Sequence, residues 1–195
     1  MDLYFATSNE GKVKSLKRDF GNNGIKVIQQ SVDLVEPRSN EVREIASIKI
    51  AQAYSIIKKP VVVIDAGFYI PSLNGFPRAF VNFALETIDL EGILKLVEGK
   101  PRECEFKECL AYMDSEIQEP IYFMSYVPGV LSNVVCGQMQ NHLWSRLSLI
   151  FIPKGSQKTL AEMSPQEYSE WREVSREHDS SSAKLLDWLL RNRIK

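Results

Sequence analysis

Short apolar runs alternate with stretches of helical period along the first 65 residues of the chain. Residues 2–6 (DLYFA) read as a strand, and TSNEGK as the loop that follows it. A helical pattern then covers 11–20, with Ser8 or Asn9 placed to cap it. FGNNGIKVIQQ holds a turn with Gly21 and Gly24 and a second strand through 25–28. Asn40 is placed to cap a helix over 41–57, in which Val42, Ile45 and Ile48 recur on one face. Pro60 ends that helix, and the unbroken apolar run 61–64 predicts a fully buried strand with Asp65 at its end. Strand, helix, strand, helix, strand in this order is a βαβ pattern.

The middle of the chain changes character. DLEGILKLVEG predicts a short helix with Asp89 at its cap and Gly99 at its end. EFKECLAYM, PIYFMSYV, VLSNVV and LSLIFIP then read as strands separated by turn residues. SPQE at 164–167 is a capping box with proline at the first helical position. SSSAKLLDWLLRNR predicts a closing amphipathic helix whose apolar face is Leu185, Leu186, Leu189 and Leu190. No repeat, linker or low-complexity tract interrupts the pattern, so residues 1–195 read as one α/β domain with a mixed central sheet.

Length and composition add limits. A chain of 195 residues can bury a sizeable core without staples. Its net charge of −1 gives no global reason to expect nucleic acid or an anionic membrane as a partner, so any site for a polyanion has to be local. Cys104, Cys109 and Cys136 are odd in number and form no Cys-x-x-Cys, which points to reduced thiols, a cytoplasmic location and no zinc site. No apolar stretch is long enough to span a membrane.

Candidate chemistry gathers at the strand ends. Thr7, Ser8 and Asn9 lie where a strand hands over to a helix, a place where backbone amides and the helix dipole favour an anion, and Lys12 falls in the first helical turn. The order is not that of a Walker A loop, and capping residues beside a solvated lysine remain the alternative. Lys14, Lys17 and Arg18 on the same helix read as a solvated face. Glu36, in the loop after the second strand, and Asp65 fall at the same edge, because ligands of open α/β sheets bind outside the carboxyl ends of the strands. A lysine, hydroxyls and an amide beside two carboxylates suit a phosphate chain with Mg²⁺.

FATSNEGKVKSL, DLVEP, VIDAG, LNGFP, LEGILKLVEG and FIPKGSQKTLAEMSPQE occur in the order and spacing of a known family. The chain resembles the inosine triphosphate pyrophosphatases, which hydrolyse deaminated purine nucleoside triphosphates. The resemblance implies a long curved mixed sheet flanked by helices, two lobes with a central cleft, and a homodimer. It implies water attack at the α-phosphorus, with release of pyrophosphate and a nucleoside monophosphate. By resemblance, Thr7, Asn9 and Lys12 bind phosphate, Glu36 serves Mg²⁺ (or Mn²⁺), and Asp65 is a metal ligand or the base for the attacking water. Ser8 and Gly67 belong to the same two segments, and Lys158 and Glu162 fall in the matching KTLAEM.

The departures cluster in the residues that would recognise substrate. Ile64 stands in the place of the first acid of the family's acidic pair, Ala66 in that of a serine and Arg78 in that of a small residue. In NHLWSRLSLIFIP, Ser148 and Leu149 replace the family's aspartate and proline, while Trp144 is still available to stack on a base. The Ser-His-Arg that reads the carbonyl edge of the base is missing; Tyr168 replaces an expected lysine, and Arg176 and His178 are candidate substitutes. Loss of hydrogen-bonding partners weighs heavily on base choice, on the order of 10⁴-fold where such bonds carry discrimination. The sequence therefore predicts a retained phosphate end and a rebuilt base end, with altered or relaxed base choice, or else a degenerate relative that binds nucleotide or protein.

Overall fold

The computed structural model describes residues 1–194 and, for His178, only its place in a helix. β1 (Asp2–Ala6), α1 (Glu10–Phe20), β2 (Lys26–Gln30), α2 (Val42–Ile57) and β3 (Val61–Tyr69) follow one another as the βαβ pattern requires. β1 pairs in parallel with β2, from Asp2 opposite Lys26 to Ala6 opposite Gln30, and in parallel with β3, with Phe5 opposite Val62. The chain continues through β4 (Pro77–Arg78), α3 (Val81–Thr87), α4 (Asp89–Leu96), β5 (Glu103–Met113), β6 (Ile121–Leu131), β7 (Phe151–Pro153), α5 (Pro165–His178) and α6 (Ser181–Asn192). The sheet has the order β2-β1-β3-β5-β6-β7, with β4 paired antiparallel to β3 and β7 antiparallel to β6. It is a mixed seven-stranded sheet flanked by helices, with β3 inside it.

The chain divides into two compact units. Unit 1 comprises residues 1–66, 108–125 and 179–195. Its core joins Leu3 and Phe5 of β1, Val13, Leu16 and Phe20 of α1, Val62 and Ile64 of β3, Leu110 and Tyr112 of β5, and Leu185, Leu186 and Leu189 of α6. Each such side chain contributes about 1.5–3 kcal/mol when fully buried. Unit 2 comprises residues 67–107 and 126–178 and has its own core, centred on Phe68, Phe106 and Phe151.

Several expected details shift. Asp65 does not end a strand, because β3 runs on to Tyr69. Asn40 is not the cap of α2; the Ser39 hydroxyl accepts from the Glu41 amide and donates to Glu44. The buried stripe of α2 is Val42, Ile45, Ala46, Ile50, Ala53 and Ile57, while Ile48 is exposed. Leu190 of α6 is likewise exposed. PIYFMSYV and the start of VLSNVV form one continuous strand, and the first half of LSLIFIP is a 3-10 turn at Arg146–Leu149. Asn9 caps α1, and the Ser164–Glu167 box forms in both directions, at 2.8 and 3.2 Å.

A buried ion pair ties the end of α6 into unit 1. Asp114 is 3% exposed and accepts from Arg193 Nε at 2.6 Å, from the Tyr112 hydroxyl at 2.5 Å and from the Glu116 amide at 2.9 Å. Burial pushes the Asp114 carboxyl up, but the hydrogen bonds from Arg193, Tyr112 and Glu116 outweigh it and hold the group below its ordinary value. A carboxyl depressed in the folded state stabilises above its unfolded pKa and loses that contribution as pH falls through the folded one. Arg193→Ala is expected to cost about 1.5–3 kcal/mol near neutral pH. In urea titrations the deficit should narrow once the pH drops below the carboxylate range.

Candidate phosphate and metal site

The turn between β1 and α1 is built from its own side chains. The Thr7 hydroxyl oxygen accepts from the Asn9 amide at 3.1 Å, and Asn9 Oδ1 accepts from the Lys12 amide at 3.0 Å. With those acceptors committed, the Thr7 hydroxyl proton and the Asn9 amide NH₂ are left as donor functions, which suit an anion. Ser8 is exposed in the same turn. Counting on from Phe5 opposite Val62 brings Thr7 level with Ile64, and Lys12 Nζ donates to the Ile64 carbonyl at 3.0 Å. Burial pulls the Lys12 ammonium below its ordinary pKa, and Asp65 is the largest influence opposing it.

Asp65 lies one residue further along β3. It is 9% exposed, a costly place for a carboxylate unless a cation meets it. Lys49 of α2 does so, donating to Asp65 Oδ2 at 2.8 Å and to Glu36 Oε1 at 2.7 Å. Burial lowers Lys49, but Asp65 and Glu36 together outweigh it, so its pKa is raised and the ammonium stays charged. Glu36 arrives on an irregular stretch pinned to α2 at the preceding residue, where the Gln52 side chain exchanges hydrogen bonds with the backbone of Val35, both at 3.0 Å. Thr7, Asn9, Lys12, Glu36 and Asp65 all belong to unit 1, with Glu36 and Asp65 joined through one ammonium.

Lys49 and Gln52 are the residues that sequence reasoning missed. Lys49 had a signal: it occupies the apolar stripe of α2, four residues after Ile45 and four before Ala53. A lysine on the buried face of a helix needs a partner inside. Gln52 has no comparable mark.

The remaining candidates lie in unit 2. Gly67 packs against β4, where a Cβ would come within 2.7 Å of the Arg78 carbonyl, so the position demands glycine for close approach. Arg78 itself adopts φ +58 and donates to the Asn74 carbonyl at 2.9 Å. Trp144 is 45% exposed, with its ring 5.5 Å from Phe106, so an aromatic face remains accessible for stacking. Lys158 pairs with Glu167 at 2.6 Å, and that bond is the main reason the Glu167 carboxyl falls to about 2. Glu162 accepts from the Thr159 amide at 2.8 Å. Tyr168 is a core ring against His142, at 4.4 Å, and Trp171, at 5.5 Å, which explains an aromatic residue at that position. Arg176 lies on α5, and the His178 side chain lies outside the described residues.

Comparison with known proteins adds to this picture. The model of the Ham1 family matches residues 3–176. A dITP/XTP pyrophosphatase of Saccharolobus solfataricus is 34% identical over 171 residues, 87% of this chain and 86% of that protein. One from Pyrococcus horikoshii is 34% identical over 169 residues, 86% and 87% of the two chains. Among solved structures, a HAM1 protein from Coxiella burnetii superposes with a TM-score of 0.82 at 22% identity, covering 98% of this chain and 99% of the other. At that identity the likeness is one of fold.

Proposed function

The chain belongs to the Ham1 family, and on that premise we propose that it hydrolyses a nucleoside triphosphate, a non-standard purine such as ITP, dITP or XTP, to the monophosphate and pyrophosphate. The observation that carries this reading is the pairing of Glu36 and Asp65 through Lys49, in the same unit as the Thr7–Asn9 turn and Lys12. The pyrophosphatases of Saccharolobus solfataricus and Pyrococcus horikoshii support the substrate class.

In this reading Thr7, Asn9 and Lys12 hold the phosphate chain, and Lys49 adds a second charge against it. Asp65 orients the attacking water and takes its proton as the bond from the α-phosphorus to the bridging oxygen breaks. Glu36 and Asp65 share the Lys49 ammonium; a hard divalent cation, which that pair of carboxylates suits, would take the place of the ammonium between them. Among the described residues no group of three His, Cys, Asp or Glu could hold a metal, so the other ligands would be phosphate oxygens and water. When bound, Mg²⁺ or Mn²⁺ supplies charge neutralisation at the phosphates and a more acidic water. Within unit 2, Trp144 has an exposed aromatic face of the kind that stacks on a base.

We further propose a homodimer, testable by sedimentation. The free cysteines Cys104, Cys109 and Cys136 support a cytoplasmic location, and no described helix is long and apolar enough to cross a membrane.

The test is pyrophosphate release from a panel of standard, deaminated and modified triphosphates with Mg²⁺ or Mn²⁺. Turnover of at least one is expected, falling about 10²-fold or more in Lys12→Ala, because an electrostatic clamp on phosphate is lost. Silence across the panel would overturn hydrolysis. Calorimetric nucleotide binding without turnover would then favour a binding module, a reading that the apolar Ile64 encourages.

A further inference from the structure

Lys12 has an acidic neighbour that no motif contains. Side chains of β5 alternate between faces, so Glu108 shares a face with Leu110 and Tyr112. Those two pack with Ile64 of β3, with Val13 and Leu16 of α1, and with Leu185 and Leu189 of α6. Glu108 therefore stands on the α1 and α6 face of the sheet. Ser181, the buried first residue of α6, fixes it there by donating to Glu108 Oε1 at 2.5 Å. The next residue, Ser182, donates to Asp19 of α1 at 2.7 Å, which locks the start of α6 against α1. Ile64 lies on that same face of β3, the strand beside β5, and its carbonyl receives the Lys12 ammonium at 3.0 Å.

We propose that Glu108 is a further carboxylate of the phosphate site, a positioning residue that holds Lys12 in place from the α1 and α6 face of the sheet. The inference rests on the function proposed above. The charges acting on Lys12 agree with it. Asp65 and then Glu108 are the two largest favourable influences, Lys49 opposes, and Glu36 contributes least. Asp65 is already bonded to Lys49, so Glu108 is the counter-charge on the side of Lys12 away from α2. A buried ammonium held between a carbonyl and an anchored carboxylate keeps its aim before substrate arrives, and that lowers the cost of organising the site.

The experiment compares wild type with Glu108→Gln, Glu108→Asp and the double variant Ile64→Asp/Glu108→Gln. The readouts are pyrophosphate release from the best substrate of the panel and thermal unfolding. Glu108→Gln should lose about 10–100-fold in kcat/KM, the range for partners that orient a ligating group, while its unfolding midpoint stays near wild type. Glu108→Asp keeps most of the rate. The double variant regains activity, because it returns a carboxylate to the same face, beside the carbonyl that holds Lys12. A wild-type rate in Glu108→Gln overturns the proposal, as does a loss that neither carboxylate variant restores. Should the double variant not fold, Glu108→Asp decides alone. A wild type without turnover would remove the proposed function and this inference together; active wild type with unaffected Glu108→Gln removes only the inference.

Discussion

Asp65→Asn is expected to reduce pyrophosphate release by about 10²–10⁴-fold, the range for a positioned base. The substitution keeps the shape of the side chain and an oxygen for Lys49, so the change is one of charge and basicity. Asp65 is buried and its partner Lys49 is nearly so, whereas Glu36 is mostly exposed; the other carboxylate therefore cannot take over the same place. Some stability should go as well, about 1–3 kcal/mol, because a buried ammonium loses the more buried of its two counter-charges. For a chain of this size that is a shift of several degrees in melting midpoint. Pyrophosphate release and thermal unfolding on the same preparation separate the two effects. A folded variant that turns over at the wild-type rate would remove Asp65 from the chemistry.

Phe68→Ala is expected to give the largest loss of stability among these substitutions, about 3–5 kcal/mol. Phe68 is fully buried in unit 2, with its ring 4.7 Å from Phe106 and 6.0 Å from Phe151, and those two rings are 4.8 Å apart. Truncation removes one member of a three-ring cluster that joins β3, β5 and β7, and leaves a cavity its neighbours cannot fill. Urea unfolding followed by tryptophan fluorescence measures the loss. Phe68→Leu should cost distinctly less, since much of the volume remains. Equal costs for the two would mean that the site collapses freely.

The elements of unit 1 were readable because their patterns are local. An apolar run followed by a capped helix is visible without any tertiary information, and the parallel pairing of β1, β2 and β3 follows from the crossovers. The end of β3 at Tyr69 is hidden in the sequence because Asp65 looks like punctuation. Only Lys49, contributed by a different element, makes a carboxylate tolerable in mid-strand. For the same reason the motif residues Thr7, Asn9, Lys12, Glu36 and Asp65 could be picked out, while Lys49, Gln52 and Glu108 could not be. Their meaning lies in what faces them across helix and sheet. Unit 2 was harder, since the seven-residue α3 fully buries only Ala84 and β4 has only two residues.

Asp65 sits inside a ladder of backbone hydrogen bonds, and Lys12 and Lys49 stand on regular helices, whereas Trp144 lies on an irregular stretch between β6 and β7. The two kinds of residue therefore face different evolutionary constraints. Replacing a residue of the irregular stretch disturbs no ladder and unpairs no strand, so selection can try many versions of it. Moving Asp65 would shift every neighbour in β3. Under the function proposed, such a chain can drift in what it recognises while what it does to a phosphate stays fixed.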